Sequence, residues 1–154
     1  MARLSFKTGT TTRSLEWANK VLIVDTSVII DLSKGKQTKE VVFLIEYENQ
    51  GGAIAVPSIC YSEILQGART LAEWKKIRSV LGVNEILFPK NTVKFWEDAS
   101  RIYFDLRRKG KTISSLIDCL VAQIVLDFKG ILLHHDRDYE LIKTIRPLKT
   151  KCYF

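Results

Sequence analysis

The segment Val21-Leu22-Ile23-Val24-Asp25-Thr26-Ser27 joins an uninterrupted apolar run to an acidic, hydroxyl-rich end. An apolar run rich in β-branched residues is typical of a central strand in a parallel sheet, because helices cover both faces of such a strand. A charged side chain that directly follows a buried strand has few structural uses. Asp25 is therefore the first candidate functional residue of the chain.

Strands and helices alternate along the rest of the chain. Further strands are predicted at residues 53–56, 83–87 and 131–133, with a short one near 151–154. Helices are predicted at residues 39–47, 58–67, 71–81, 91–109, 115–128 and 139–145, and a short apolar turn at 28–32. Ser58 is expected to cap the second of these helices, and Gly130 to end the helix at 115–128. Because right-handed crossovers place helices on both faces of a parallel sheet, this order predicts an α/β fold. We expect a three-layer α/β/α sandwich around a mostly parallel sheet of four to five strands.

The size of the chain indicates a single domain. It has 154 residues, of which 46% are hydrophobic and 27% charged. This composition is that of a globular protein and excludes a disordered or low-complexity chain. The opening residues are rich in threonine, serine and basic residues, so we expect an N-terminal extension at 1–20 and one domain at 21–154.

The charge and cysteine content indicate the surroundings and the partners of the protein. The net charge is +7, which favours a polyanionic partner such as nucleic acid. The three cysteines form no C-x-x-C pair, so a disulfide framework or a zinc knuckle is not supported and a reducing compartment is expected. No apolar run approaches the length of a membrane span. We therefore expect a cytoplasmic protein without a membrane partner.

Four acidic residues are expected to meet at one edge of the sheet. Asp25 follows the first strand, Glu63 lies on the helix after the second, Asp118 in the first turn of the helix before the fourth, and Asp136 shortly after the fourth. In open α/β sheets, sites form beyond the carboxyl ends of the strands. These four carboxylates are therefore the candidate catalytic residues.

Each of the later acids also has a structural alternative. Asp118 lies three residues after Ser115, so the two form a candidate capping box. Asp136 or Asp138 could cap the last helix, and Glu63 could be a solvated residue on a helix face. Basic residues near the same edge are candidates for phosphate contacts, although surface lysines and arginines are usually just solvated. They are Lys34, Lys36, Lys39, Arg69, Arg107, Arg108, Lys109 and Lys111.

Several carboxylates at one place need compensation. Two like charges about 4 Å apart repel by about 4 kcal/mol at an effective dielectric constant of 20, which raises pKa values or drives the groups apart. A hard divalent cation removes this conflict, and carboxylate oxygens are the ligands that Mg²⁺ and Mn²⁺ prefer. The sequence therefore predicts a divalent metal site among these carboxylates.

The acidic residues lie in four short motifs. These read Val24-Asp25-Thr26-Ser27-Val28, Ser62-Glu63-Ile64-Leu65-Gln66-Gly67, Ser115-Leu116-Ile117-Asp118-Cys119-Leu120-Val121-Ala122 and Leu132-Leu133-His134-His135-Asp136-Arg137-Asp138-Tyr139. In this order they resemble the four motifs of PIN-domain nucleases, especially the VapC toxins of bacterial toxin–antitoxin pairs. The resemblance spans residues 21–145.

The resemblance implies an activity, partners and site residues. It implies an endoribonuclease that depends on Mg²⁺ or Mn²⁺, forms a homodimer and is silenced by a small antitoxin protein. By position, Asp25, Glu63, Asp118 and Asp136 would be the acidic residues, with Asp25, Asp118 and Asp136 as the metal ligands. Ser27 would orient Asp25 or a water, and Asp138 would be a further ligand, a water contact or only a cap.

Other functions stay open from the sequence. A PIN nuclease could serve RNA maturation or decay, and a basic protein could be an RNA-binding module without catalysis. An aspartate-nucleophile phosphatase would need a second aspartate where this chain has Ser27. A metal site or general base at His134 and His135 is a weaker alternative, because the chain has no other histidine.

Overall fold

The computed structural model of the chain describes residues 20–90 and 92–154. Apart from Lys20, the N-terminal extension predicted at residues 1–20 lies outside the described residues. The strands in the described part are β1 Leu22–Val24, β2 Ile54–Pro57, β3 Glu85–Leu87, β4 Ile131–Leu133 and β5 Thr150–Lys151. They form one parallel sheet in the order β3-β2-β1-β4-β5. The short strand predicted near 151–154 therefore exists, although it begins at Thr150.

The helices flank this sheet. In the described residues they are α1 Thr26–Ser33, α2 Lys39–Asn49, α3 Ser58–Gln66, α4 Leu71–Leu81, α5 Thr92–Arg108, α6 Leu116–Phe128 and α7 Arg137–Lys143. Helix α1 packs against α2 and α3, whereas α5 packs against α6 and α7. The apolar residues of β1 and β4 are all buried. The predicted three-layer α/β/α fold around a parallel sheet is confirmed.

Three local predictions are wrong. Residues 28–32 are not a turn but part of α1, because Asp25 caps this helix by accepting a hydrogen bond from the Ser27 amide. Ser58 is the first residue of α3 and not its cap; Pro57 holds the cap position without a side-chain hydrogen bond. Helix α6 ends at Phe128, and its C-cap is Lys129, with a left-handed φ of 53°, and not Gly130.

Gly130 has a different role from the predicted one. A Cβ atom at this position would lie 2.5 Å from Cδ1 and 2.9 Å from Cγ1 of Ile23. Ile23 is a fully buried residue of β1. The glycine therefore leaves room for the buried Ile23 side chain at the start of β4.

The register of β1 and β4 brings their carboxyl ends to the same level. Val24 pairs with Leu133, and the Asp25 amide donates a hydrogen bond to the Leu133 carbonyl at 3.0 Å. Chain order reverses here, since β2 and β3 lie on one side of β1 whereas β4 and β5 lie on the other. In open α/β sheets such a switch point is where ligands bind.

Two expectations about the whole molecule concern cysteines and membranes. Cys60, Cys119 and Cys152 are free thiols, in agreement with the predicted lack of disulfide bonds. In the described part of the chain, no helix combines the length and the apolar character that crossing a bilayer requires.

Candidate active site

Asp25 lies at the carboxyl end of β1, where it is held on one side by its own helix. Its Oδ2 atom accepts hydrogen bonds from the Ser27 amide at 3.0 Å and from the Ser27 hydroxyl at 2.6 Å. The Ser27 hydroxyl oxygen in turn accepts a hydrogen bond from the His135 amide at 3.2 Å. Ser27, which was predicted to orient Asp25, is thus bonded both to this carboxylate and to the backbone that follows β4.

The other oxygen of Asp25 is held from the opposite side. Its Oδ1 atom accepts a hydrogen bond from the Tyr139 hydroxyl at 2.7 Å, and the Cys60 thiol lies 3.9 Å away. Burial, followed by the charge of Asp25, raises the pKa of Cys60 and of Tyr139 well above their usual values. Both groups therefore keep their hydrogen at neutral pH and face the carboxylate as donors.

Glu63 is placed by helix α3 and held by the helix after β1. Its Oε2 atom accepts a hydrogen bond from the Thr26 hydroxyl at 2.7 Å. The side chain is only partly exposed, so it is not the freely solvated residue that one alternative described. The hydrogen bond joins the second acidic motif to the first.

Asp136 and Asp138 lie at the start of α7. The Asp136 carboxylate accepts the Asp138 amide at 2.9 Å, so Asp136 does cap this helix. Asp138 accepts hydrogen bonds from the Ser114 amide at 2.7 Å and the Ser114 hydroxyl at 2.6 Å. Asp138 therefore connects α7 to the loop before α6. The capping role of Asp136 leaves its second carboxylate oxygen available to a ligand.

Asp118 lies in the first turn of α6. Ser115 caps this helix by accepting the Ile117 amide at 3.0 Å, and no hydrogen bond from Asp118 back to Ser115 completes a capping box in the described part. Burial and then the charges of Asp136, Asp138, Asp25 and Glu63 raise the pKa of Asp118 to about 7. The structure therefore brings all the predicted acidic residues into one electrostatic neighbourhood.

The cluster of acids lacks a compensating cation. Within residues 20–90 and 92–154, no lysine or arginine forms an ion pair with any of these five carboxylates. The donors that contact them are hydroxyls, backbone amides and a thiol. Oxygen ligands of this kind and a pKa raised by like charges suit a hard divalent ion, which would remove the repulsion. The donor set thus fits Mg²⁺ or Mn²⁺.

A second group of side chains could hold a metal ion by distance. Ligand atoms of His134, Glu140 and Cys152 lie within 4.8 Å of one another. However, Nδ1 of His134 accepts the Asp136 amide hydrogen at 3.2 Å, so the neutral ring carries its proton on Nε2. This nitrogen faces Glu140 Oε1 at 3.4 Å and would have to lose the proton before it bound a metal. The arrangement favours a protonated Nε2 beside a carboxylate over a metal ligand.

His135 is held beside the site by a buried carboxylate. Its Nδ1 atom lies 3.2 Å from Oε1 of Glu40, which also accepts the Tyr153 amide at 3.0 Å. Glu40 is 2% exposed, whereas about half of the His135 side chain is exposed. These contacts fix the direction of the imidazole ring.

The predicted phosphate contacts remain predictions. Most of these basic residues are exposed, and Lys36 is paired with Asp31 at 2.6 Å. Arg107 and Arg108 lie in the last turn of α5, directly before the loop that leads to α6. Chain connectivity therefore puts this basic stretch on the side of the site that holds Asp118.

Sequence reasoning missed three residues of the site. Tyr139, Thr26 and Ser114 each donate a hydroxyl hydrogen bond to one of the carboxylates. Thr26 and Tyr139 are direct neighbours of predicted acids in the sequence, which was a usable signal. Ser114 carried none, because its contact with Asp138 depends on how two distant segments pack.

Replacing Asp118 by asparagine is expected to stabilise the metal-free protein at pH 8. The pKa of Asp118 is raised from 3.8 to about 7, so the folded state binds more protons than the unfolded state between these values. The protein therefore loses stability as the pH rises through this window, and asparagine removes the effect. Because solvent screens a partly exposed group, we expect a gain of about 1 kcal/mol at pH 8 and less at pH 4. Urea unfolding in EDTA measures both values; an equal effect at the two pH values would contradict the prediction.

Comparison with known proteins identifies relatives for most of the chain. A family profile for the PIN domain matches residues 22–144. Ribonuclease VapC11 of Mycobacterium tuberculosis is 33% identical over 55 residues, which cover 36% of this chain and 41% of that protein. The matched segment thus spans less than half the length of this curated relative.

Solved structures share the fold over a longer range. VapBC-1 from nontypeable Haemophilus influenzae matches with a TM-score of 0.67 and 18% identity, covering 85% of this chain and 96% of the matched chain. VapBC2 from Rickettsia felis, solved with a DNA fragment from its promoter, matches with a TM-score of 0.66 and 17% identity. The match covers 87% of this chain and 99% of the matched chain. The family profile covers most of the chain, and the chain therefore belongs to the PIN domain family.

Proposed function

We propose that this chain is an endoribonuclease that hydrolyses RNA with the help of Mg²⁺ or Mn²⁺, and that it acts as a VapC-type toxin. The observation that carries the proposal is the convergence of four further carboxylates on Asp118, whose pKa is raised to about 7 by burial and then by their charges, while no lysine or arginine of the described residues pairs with any of them. A site built only to stabilise the fold would gain nothing from this repulsion.

Asp25, Asp118 and Asp136 are the proposed metal ligands, with Glu63 as the fourth catalytic acid. A divalent ion bound there would lower the pKa of a coordinated water and neutralise charge on the phosphate and the leaving oxygen. Ser27 orients Asp25, while Thr26 orients Glu63.

Asp136 and Asp138 contribute in different ways. Asp136 reaches the site with one oxygen held by the Asp138 amide. Asp138 has one oxygen bonded to Ser114, so we propose a supporting role for it, as a water contact or an outer ligand. The capping of α7 and the binding of a metal are compatible in Asp136, because they use different lone pairs.

RNA is the proposed substrate because the acidic site lies in a basic protein. The net charge is +7 in spite of the clustered acids, and exposed basic residues precede the helix that carries Asp118. A backbone of phosphates would be attracted to such a surface, with an affinity that falls as salt increases. The matched ribonucleases of mycobacteria support the same substrate class.

The proposed partners are a small antitoxin and a second copy of the chain. A toxin–antitoxin complex from Klebsiella pneumoniae shares the fold of this chain, which supports an antitoxin partner. The homodimer follows from the family resemblance. Both the cleavage of cellular RNA and the complex with an antitoxin would take place in the cytoplasm.

Cleavage of RNA by the purified chain tests the activity. We expect cleavage with Mg²⁺ or Mn²⁺ that stops on addition of EDTA, and a loss of at least about 100-fold in Asp25→Asn and Asp118→Asn, because each removes a metal ligand. Asp98→Asn is the matched control, since this acid forms a helical ion pair with Lys94 away from the cluster. It should retain the rate of the unmodified chain.

The ends of the RNA products distinguish the mechanisms. Attack by water with departure of the 3′ oxygen leaves 5′-phosphate and 3′-hydroxyl ends. Cyclic 2′,3′-phosphate ends would show attack by the RNA's own 2′-hydroxyl and would contradict the proposal. Metal-independent RNA binding without cleavage would favour the non-catalytic module.

Expression in cells separates a toxin from an enzyme of RNA maturation. We expect the chain to arrest growth when induced, and a small protein encoded beside it to restore growth when the two are expressed together. Asp25→Asn should abolish the arrest while the protein accumulates to the same level. Normal growth on expression of active enzyme would favour a role in RNA maturation or decay.

A further inference from the structure

We propose that Tyr139 is a positioning residue for the metal site, whose buried hydroxyl fixes the orientation of the Asp25 carboxylate relative to the ion. The inference rests on the proposed function, because it takes Asp25 as a metal ligand. It adds a residue outside the group of acids and a reason why that residue must carry a hydroxyl.

The contact between Tyr139 and Asp25 joins two parts of the site. Tyr139 is 1% exposed, and its hydroxyl donates to Oδ1 of Asp25 at 2.7 Å. Tyr139 lies on α7, the helix that begins at Asp136 and also carries Asp138. Asp25 lies after β1 and caps α1. The hydrogen bond therefore fixes the acid that follows β1 relative to the acids that follow β4.

The donors around Asp25 leave little freedom for metal binding. An ionised carboxylate has about four lone-pair sites. Ser27 uses two of them on Oδ2, with its amide and its hydroxyl, and Tyr139 uses one on Oδ1. The Cys60 thiol lies 3.9 Å from Oδ1 and is a weak donor to the remaining site. Both oxygens of Asp25 are thus held, and Tyr139 and Ser27 set the orientation in which the carboxylate meets an ion.

A purely structural role for Tyr139 would depend on its ring instead. The ring packs edge-on against His134 with centroids 4.9 Å apart, within the buried core. Phenylalanine would keep this packing and remove only the hydroxyl. The comparison of tyrosine with phenylalanine at this position therefore separates the two roles.

The test is the Mn²⁺ affinity of Tyr139→Phe, measured without RNA by calorimetry or by electron paramagnetic resonance. Loss of a group that orients a metal ligand typically weakens metal binding by about 10- to 100-fold, and we expect a loss in this range. Tyr47→Phe is the matched control. Tyr47 is also a buried tyrosine, and its hydroxyl donates at 2.7 Å to the Lys20 carbonyl, so its removal should leave Mn²⁺ affinity unchanged.

RNA cleavage provides a second readout. If Tyr139 positions the ligand, raising Mn²⁺ should restore most of the cleavage rate of Tyr139→Phe, because the variant retains every carboxylate. Equal Mn²⁺ affinity in Tyr139→Phe and the unmodified chain would overturn the proposal. If the unmodified chain binds Mn²⁺ and Asp25→Asn binds it equally well, the proposed ligand set is wrong. No Mn²⁺ binding by the unmodified chain would overturn the proposed function itself.

A measurement on the unmodified chain covers the case in which the phenylalanine variant fails to fold. With tyrosine labelled at the carbon that bears the hydroxyl, saturating Mg²⁺ should shift the resonance of Tyr139, because the ion withdraws charge from the oxygen that Tyr139 contacts. The resonance of Tyr47 should stay in place. An unchanged Tyr139 resonance at saturation would contradict the proposal.

Discussion

The mutual repulsion of the carboxylates at the junction of β1 and β4 is the constraint around which the site is built. Burial and then the charges of Asp136, Asp138, Asp25 and Glu63 raise the pKa of Asp118 to about 7. The chain holds four of them with hydroxyls and amides, which orient a carboxylate without neutralising it. A neutralising lysine or arginine would have stabilised the fold and closed the site to a divalent cation. The protein thus retains a local destabilisation, and a bound cation is the simplest agent to relieve it.

The fold makes this convergence possible because of where the chain changes direction in the sheet. β1 is the middle strand, with β2 and β4 on its two sides, and the residues after β1 and β4 emerge at one level. Gly130 leaves room for the Ile23 side chain, and the hydrogen bond from the Asp25 amide to Leu133 keeps the ends of β1 and β4 together. Glu63 reaches the site from helix α3 and Asp118 from helix α6, so these two acids come from the helices that flank the sheet. The rigid core therefore sets the geometry of the acids, in keeping with the need of a metal site for fixed ligands.

Much of this arrangement could be predicted from the sequence, for identifiable reasons. Apolar runs bounded by glycine and proline located the strands. Because sites in open α/β sheets form beyond the carboxyl ends of the strands, the positions of Asp25, Glu63, Asp118 and Asp136 then marked them as candidates. The helix over residues 28–32 was missed because its start depends on a cap by Asp25, which was assigned to function alone. Asp25 and Asp136 each cap a helix and are also candidate metal ligands. A structural role for these residues therefore does not argue against a functional one. Contacts such as Tyr139 with Asp25, 114 residues apart in the chain, depend on packing that local patterns do not encode.

On this basis a divalent cation occupies the space between these carboxylates. Anomalous diffraction from crystals soaked in Mn²⁺ locates the ion independently of activity. We expect a peak within coordination distance of oxygens of Asp25, Asp118 and Asp136. A saturating soak with no peak there, or with a peak only at His134, Glu140 and Cys152, would contradict it.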